Sequence, residues 1–140
     1  MDLSHVIANL NYWAILVAAL STFVVGSVWY SPVLFGKKWM ALNGFTEEKL
    51  KQGLPMPVVF GGSFIGSLLA AFVLAMFLGS SASLELGIFS GFMIAVFWIS
   101  TSRLNLVLFE QGKVGLFFIH AGYDVVTYVI MGAILGFWHG

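Results

Sequence analysis

Residues 114–138 read VGLFFIHAGYDVVTYVIMGAILGFW, and this stretch says most about the fold. Its only residues that carry charge near neutral pH are His120 and Asp124. An α-helix needs about 20 predominantly apolar residues to cross the ~30 Å hydrocarbon core of a bilayer. The stretch is therefore predicted to be a membrane-spanning helix.

Three further apolar runs have the same character and cover residues 12–30, 58–78 and 86–109. The chain of 140 residues is 60% hydrophobic and 9% charged, whereas soluble domains average about 25% charged residues. So few charges cannot cover the surface of a water-soluble fold of this size, but they suit a protein dissolved in lipid. We therefore predict an all-α fold in which residues 1–140 form one domain, a bundle of four transmembrane helices.

The segment between the first two spans, residues 32–57, is the main aqueous part of the chain. Thr46 is predicted to cap a short amphipathic helix with Glu47 and Glu48 in its first turn and lysines in its last, which suits the helix dipole. Aromatic and basic residues before this helix are predicted to anchor the chain at the depth of the lipid headgroups. They are Trp29, Tyr30, Lys37, Lys38 and Trp39.

The basic residues give the bundle a predicted orientation. The N-terminus, the second loop and the C-terminus contain no lysine or arginine. Cytoplasmic loops of membrane proteins are enriched in these residues, so the first and third loops, with the short helix, are predicted to be cytoplasmic and both termini outside. All six lie in or near the first and third loops: Lys37, Lys38, Lys49, Lys51, Arg103 and Lys113.

Small residues recur at every fourth position of all four helices. Helices in lipid associate largely through such residues, because they allow the backbones to approach closely. The stripes predict a compact bundle. They also predict a homo-oligomer, because the interior of a single four-helix unit rarely has room for four such stripes, so some are expected to face a second subunit. They are Ala14, Ala18, Thr22 and Gly26; Gly62, Gly66 and Ala70; Gly87, Gly91 and Ala95; and Gly132, Gly136 and Gly140.

Polar residues inside the fourth helix form the most informative pattern. His120 and Asp124 are four positions apart and share a helix face, which Thr127 extends. Counted from Val114, Asp124 lies about 15 Å deep, where a carboxylate costs several kcal/mol unless it is paired, protonated or hydrated. Arg103 enters from the third helix at the depth of His120, so an Arg103–Asp124 contact with His120 beside it is predicted.

Two interpretations of this cluster remain open. In the functional one, His120 and Asp124 form a protonatable centre, and Arg103 tunes it or holds an anionic group. In the structural one, His120 and Asp124 are a satisfied pair and Arg103 reaches out to the lipid phosphates. Asn105 projects almost opposite Arg103, so the third helix is polar on two sides and is predicted to be central in the assembly.

Other chemistries are disfavoured. The chain has no cysteine, which excludes disulfides, thiolate metal sites and cysteine nucleophiles, and its zero net charge gives no basic face for nucleic acid. Glu110 is predicted to lie about 15 Å from the level of Asp124, so no metal site is expected. Ser100, Thr101 and Ser102 lack a neighbouring base and are expected to bond back to helix carbonyls. No catalytic residue and no cofactor are predicted.

The end of the first helix, GSVWYSP at residues 26–32, is distinctive. Together with further short motifs it makes the whole chain resemble the bacterial membrane family catalogued as domain of unknown function 1761. The resemblance implies four spans in the bacterial cytoplasmic (inner) membrane and no established activity. The further motifs are Phe35-Gly36, Trp39-Met40, Asn43-Gly44, Thr46-Glu47-Glu48, Asn105 with Phe109-Glu110, and Ala121-Gly122-Tyr123 through Met131-Gly132.

The function predicted first is binding or transport of a small solute, anion or proton through the polar centre of the third and fourth helices. In one version Tyr30 and Tyr123 line the cytoplasmic mouth of a cavity that ends at Asp124. The alternatives are a membrane-embedded enzyme, a lipid- or cofactor-binding module, and a structural subunit of a membrane complex; whether the protein is an enzyme is left open. The candidate site residues are Tyr30, Arg103, Asn105, His120, Tyr123, Asp124 and Thr127.

Overall fold

The computed structural model describes residues 2–79 and 81–138, and every regular element in them is helical. Four stretches, 12–29, 56–78, 84–109 and 114–137, are long and apolar enough to cross a membrane, which confirms the predicted four spans. The elements are α1 (Leu3–Ala8), α2 (Tyr12–Trp29), α3 (Gly36–Asn43), α4 (Glu47–Lys51), α5 (Met56–Leu78), α6 (Leu84–Ile94), a π-helical turn (Ala95–Ser100), α7 (Thr101–Phe109) and α8 (Val114–Phe137).

The ends of the spans differ from the predicted ones by one or two residues, for local reasons. The second span begins at Met56 because Pro57 is tolerated in the first turn of a helix, where its missing N–H has no partner to lose. The third begins at Leu84 because the Ser83 side chain caps it by accepting from the backbone N–H of Leu86. The first and fourth end one residue early, at Trp29 and Phe137.

The third and fourth spans cross at very short distance through their glycines. A Cβ added at Gly87 would overlap the carbonyl of Gly132, and one added at Gly91 would overlap the carbonyl of Tyr128. Gly136 meets the backbone of Ser83 in the same way. The small-residue stripes predicted for these two helices are therefore contacts between them, as in other membrane helix pairs.

Two of the three residues in the predicted stripe of the second span do not pack within the chain, whereas Ala70 packs against the core. Gly62 and Gly66 are exposed, and an added Cβ would meet nothing within 4 Å at either position. The buried residues of α5 lie instead in its last two turns, at Ala71, Leu74, Ala75 and Leu78. Helical periodicity could not distinguish these two faces, since both carry small residues. Gly140 of the fourth stripe lies outside the described residues.

The apolar core fills the end of the bundle where the chain begins and ends, which we call the terminal end. It consists of buried side chains from α2, α5 and α8 together with Ala82. These side chains pack without polar groups among them, so the core of this half of the bundle is apolar. A small cavity of about 70 Å³ lies beside this core and is lined in part by His5, Asn9 and Asn11. The core residues are Ala14, Ile15, Ala18, Ala71, Leu74, Ala75, Leu78, Ala82, Met131 and Leu135.

The opposite end, which we call the basic end, carries α3 and α4 and all five lysines. The Thr46 side chain accepts from the backbone N–H of Lys49 at 3.2 Å, so the predicted cap is confirmed. Gly36 is buried against the backbone of Tyr30 and Ser31, where a Cβ has no room. The Lys113 ammonium donates to the carbonyl of Leu42, which ties α3 to the start of α8.

A π-helical turn at Ala95–Ser100 interrupts the third span. Counted at α-helical geometry, Arg103 lies about 160° around the axis from Gly87, on nearly the opposite face. A π-turn takes more residues per turn than an α-turn, so it rotates the following residues back. In the structure Gly87 and Arg103 both contact α8, and the π-turn accounts for this.

Candidate functional site

An ion pair between the third and fourth spans lies at the centre of the site. Arg103 donates from Nε at 3.1 Å and from Nη2 at 2.8 Å, both to Oδ2 of Asp124. The side chain of Asp124 is 9% exposed, and that of Arg103 is 35% exposed. The predicted contact is confirmed, and the guanidinium compensates a carboxylate that would otherwise be costly to bury at this depth.

The geometry decides against the interpretation in which Arg103 only reaches out to lipid phosphates. Two of its N–H groups point into the bundle, toward Asp124. Its Nη1 makes no hydrogen bond or ion pair with any described residue. Arg103 therefore faces a buried anion on one side and has donors to spare on the other.

His120 takes a different partner from the one predicted. Its Nδ1 lies 2.6 Å from the hydroxyl of Tyr30, and the two rings are 5.7 Å apart between centroids. Within the described residues it makes no hydrogen bond with Asp124, although the two share a face of α8. The proposed His120–Asp124 pair is thus replaced by two pairs, Tyr30–His120 and Arg103–Asp124, that lie side by side.

Tyr30 joins this cluster from the first residue after α2. Its ring contacts Tyr123 at 5.3 Å and Trp39 at 5.7 Å between centroids. Burial raises the pKa of the Tyr30 phenol above its usual value of about 10, and the nearby negative charge of Asp124 adds to the increase. The phenol is therefore neutral, and its hydroxyl shares one hydrogen with the His120 nitrogen.

The aromatic side chains at the end of α2 point inward. The Trp29 indole N–H donates to the carbonyl of Ile119 at 2.9 Å, and its ring covers Gly122 so closely that a Cβ there would lie 2.7 Å from it. The Tyr123 hydroxyl donates to the carbonyl of Thr22 at 3.3 Å. Trp29 and Tyr30 thus join α2 to α8, a role that the prediction of headgroup anchors did not include.

Replacing Trp29 by phenylalanine is expected to lower the free energy of unfolding by more than about 1 kcal/mol, the usual net contribution of one hydrogen bond. The carbonyl of Ile119 loses its indole donor, and the smaller ring also loses the outer indole atoms that cover Gly122. Trp13 is the matched control, because it is 70% exposed on the same helix. Thermal unfolding in detergent should show a lower melting temperature for Trp29→Phe and no change for Trp13→Phe; equal shifts would contradict the inward role.

Two hydroxyl-bearing residues lie close to the ion pair along the two helices. Thr127 is buried one turn beyond Asp124 on α8. Ser100 precedes Arg103 by three residues, and its buried hydroxyl has no hydrogen-bond partner among the described residues. The expected bond from Ser100 back to its helix is therefore not formed, whereas Thr101 does donate to the carbonyls of Phe97 and Trp98. No sequence signal distinguished Ser100 from its neighbours. It lies in the π-turn, and no residue pattern in the sequence marks that turn.

Asn105 does not join the ion pair. It lies on the outer side of α7, which agrees with the prediction that it projects almost opposite Arg103. It helps to line an open groove of about 730 Å³ that we call the Arg103 groove. The groove brings Arg103 together with two polar residues, Ser102 and Asn105. Its lining residues are Trp98, Ile99, Ser102, Arg103, Asn105, Leu106 and Phe109.

A second groove, of about 650 Å³, lies between α2 and α5 in the basic half of the bundle. Tyr30 and Tyr123 line it, as predicted for the mouth of a cavity, together with four smaller hydroxyls. Asp124 does not line it, so the predicted cavity does not reach the carboxylate. The hydroxyl-bearing lining residues besides the tyrosines are Thr22, Ser27, Ser63 and Ser67.

Four apolar spans around a buried ion pair define a polytopic α-helical membrane protein. Residues 13–136 match the family described as protein of unknown function, DUF1761, and the chain belongs to that family. Comparison with curated proteins and with solved structures gave no match. Among residues 2–79 and 81–138, no three histidine, cysteine or acidic side chains are grouped so that they could hold a metal ion.

Proposed function

We propose that the protein binds a small anion at Arg103 in exchange for the carboxylate of Asp124, and that it serves as a proton-linked binding or transport protein of the membrane. The observation that carries this proposal is the position of Arg103. Its guanidinium holds a buried carboxylate, and Arg103 also lines an open groove together with Ser102 and Asn105. A bound anion therefore has both a cation to pair with and a route to it.

The low dielectric of the site dictates how such an exchange runs. The partly buried guanidinium pairs with one anion, and two anions beside one cation repel each other. When an anion enters through the Arg103 groove, Asp124 takes up one proton on its carboxylate. The Nε–H and Nη2–H bonds that Arg103 donated to Asp124 then go to the anion. One anion and one proton enter together, and the net charge of the site stays constant.

The Tyr30–His120 pair suits the delivery of that proton. Histidine is the side chain whose unperturbed titration falls between pH 5 and 8. The 2.6 Å contact allows one hydrogen to pass between the phenol oxygen and the imidazole nitrogen. His120 also lies one helical turn from Asp124, nearer the basic end. We assign His120 as the group that exchanges protons with the water at that end.

The direction of access follows from the packing and the charges. The terminal half of the bundle is filled by the apolar core, with Ala14, Ala18 and Met131 almost fully buried. The polar groups of the site lie in the basic half, and the distribution of the basic residues supports a cytoplasmic position for this half. In this proposal the site is approached from the basic half, and transport requires a second conformation that opens the terminal end.

The test is proton-linked anion uptake into liposomes that contain the purified protein. With chloride, nitrate or inorganic phosphate as the probe, the wild-type protein should carry protons with at least one of these anions, seen as acidification of a trapped pH dye. Asp124→Asn should reduce this acidification to the rate of protein-free liposomes, because an amide cannot take up the proton. Glu110→Gln is the control, since Glu110 lies exposed in the turn after α7.

Two results would overturn the proposal. One is a folded Asp124→Asn protein that retains the acidification rate of the wild type. The other is wild-type protein that moves none of the three anions faster than empty liposomes.

A further inference from the structure

The Arg103 groove continues into a second, apolar groove. This apolar groove has a volume of about 610 Å³ and lies between α5 and the third span, with Tyr128 of α8 also lining it. Trp98 and Ile99 line both grooves, so the two meet at these residues. A groove that contains a cation and two polar side chains thus leads into an apolar groove along the side of the bundle. The remaining lining of the apolar groove is Ala70, Val73, Leu74, Phe77, Leu78, Phe89, Ser90, Met93, Ile94 and Phe97.

We propose that Arg103 also binds the phosphate of a membrane phospholipid, whose acyl chain lies in the apolar groove. This inference rests on the anion binding proposed above and names a second class of ligand for the same site. It makes the site one for an amphipathic molecule that enters sideways from the bilayer.

The donors of the Arg103 groove suit a lipid headgroup better than a small ion. Arg103 and Asn105 lie about 200° apart around the axis of α7, so one small ion cannot reach both. Ser102 lies between them on the helix surface and lines the same groove. When the phosphodiester of a lipid binds Arg103, its glycerol esters and headgroup substituent can form hydrogen bonds with Ser102 and the Asn105 amide. Arginine matches phosphate oxygens through two parallel N–H bonds.

The depth of these donors agrees with that of lipid phosphates and esters. The third span has 26 residues and is about 39 Å long, which exceeds a ~30 Å hydrocarbon core by roughly 4–5 Å at each end. Asn105 and Arg103 lie about 6 Å and 9 Å from the end of α7 at Phe109. Their side chains therefore start within a few ångströms of the boundary between hydrocarbon and headgroups.

The apolar groove lies where the acyl chain of such a lipid would run. One leaflet contributes about 15 Å of hydrocarbon, and ten residues of helix, from Arg103 back to Met93, cover the same distance. The groove wall over this stretch is apolar and consists of Met93, Ile94, Phe97, Trp98 and Ile99. Trp98 is 72% exposed on this outer surface, which only lipid or another apolar molecule can cover at that depth.

The proposal also fits the charge exchange at the ion pair. A phosphodiester carries one negative charge, as the Asp124 carboxylate does. Its phosphate can therefore replace the carboxylate at the guanidinium while Asp124 takes up a proton, and no net charge is buried. No covalent step is involved.

The experiment is native mass spectrometry of the purified protein in mild detergent, titrated with phosphatidylglycerol. The wild-type protein should hold one lipid at low ratios of lipid to protein. Arg103→Gln should weaken this binding about tenfold or more, a loss of about 1.4 kcal/mol. Met93→Trp, which fills the apolar groove but leaves Arg103 in place, should weaken it similarly. Leu20→Trp is the control, because Leu20 is exposed on α2 and lines neither groove.

Inorganic phosphate separates a lipid headgroup from a free ion. If the lipid is the ligand, millimolar inorganic phosphate should not displace phosphatidylglycerol from the wild type. Equal lipid retention by the wild type, Arg103→Gln and Met93→Trp would overturn the inference, because it would show nonspecific lipid only. If the wild type carries anions in liposomes but holds no lipid, and Met93→Trp leaves that flux unchanged, the anion binding stands and the lipid inference falls. If the wild type shows neither anion flux nor lipid binding, both the proposed function and the lipid inference are wrong.

Discussion

Replacing Gly91 by leucine is expected to prevent the bundle from folding. Even a Cβ at this position would overlap the carbonyl of Tyr128. Backbone atoms on both sides cannot move aside as a flexible side chain can, so α6 and α8 would have to separate. Overpacking a well-packed site costs about 1–3 kcal/mol, and we expect a leucine against backbone to exceed that range. In a membrane, close helix contact is itself a main source of stability.

Gly62→Leu is the matched control for this prediction. Gly62 also belongs to a small-residue stripe of a spanning helix, but a Cβ there meets open space. Its replacement should change the free energy of unfolding by no more than about 0.5 kcal/mol, as at other surface positions. The measurement is the yield of monodisperse protein in detergent and its thermal unfolding by circular dichroism. A Gly91→Leu protein with wild-type yield and melting temperature would show that α6 and α8 do not cross in backbone contact at this position.

Removing Arg103 is expected to have the second largest effect on stability. In Arg103→Ala the carboxylate of Asp124 stays buried without its cation, and breaking a buried ion pair in this way costs about 3–5 kcal/mol. Because the Arg103 side chain is 35% exposed, water and lipid headgroups already screen part of the attraction. We therefore expect a loss of about 3 kcal/mol, at the lower end of the range.

Asp124→Ala should cost less than Arg103→Ala. It leaves the more exposed member of the pair, and a long arginine side chain can turn toward the headgroups. The double variant Arg103→Leu with Asp124→Leu should recover most of the loss, since apolar replacement of both partners removes the buried charge altogether. Thermal unfolding of all three variants in one detergent measures the order. If Asp124→Ala were the most damaging of the three, the cost of an unpaired buried carboxylate would not dominate the energetics of the pair.

Much of the site could be predicted because it depends on depth. The distance of a residue from the end of its helix follows from 1.5 Å per residue, so Arg103 and Asp124 could be placed at neighbouring levels and predicted to meet. The level predicted for Arg103 was that of His120, one turn from Asp124, and the long arginine side chain spans this difference. The same reasoning did not give the partner of His120. Tyr30 comes from another span, and its approach to His120 depends on how α2 packs against α8.

The prediction was least successful where rotation about a helix axis matters. The stripes at Gly91 and Gly66 look alike in the sequence, yet one is packed against backbone and the other faces open space. The inward orientation of Trp29 also depends on rotation about the helix axis. It could not be predicted, because a tryptophan at a helix end has the same sequence signature whether it anchors the helix in the headgroups or packs inward. Whether the candidate residues bind a ligand stays a prediction, which the liposome and mass-spectrometry experiments test.

The number of spans, their lengths and the membership of the family could all be read from the amino-acid sequence. The thickness of the hydrocarbon core sets the length of an apolar run, so composition along the chain suffices for this. Which faces of the helices meet was settled at the level of tertiary structure. The π-turn at Ala95–Ser100 rotates Arg103 back toward α8, and it leaves the outer edge of α7 to form a groove. Such choices depend on the packing of side chains from several helices at once, which no local pattern of one helix records.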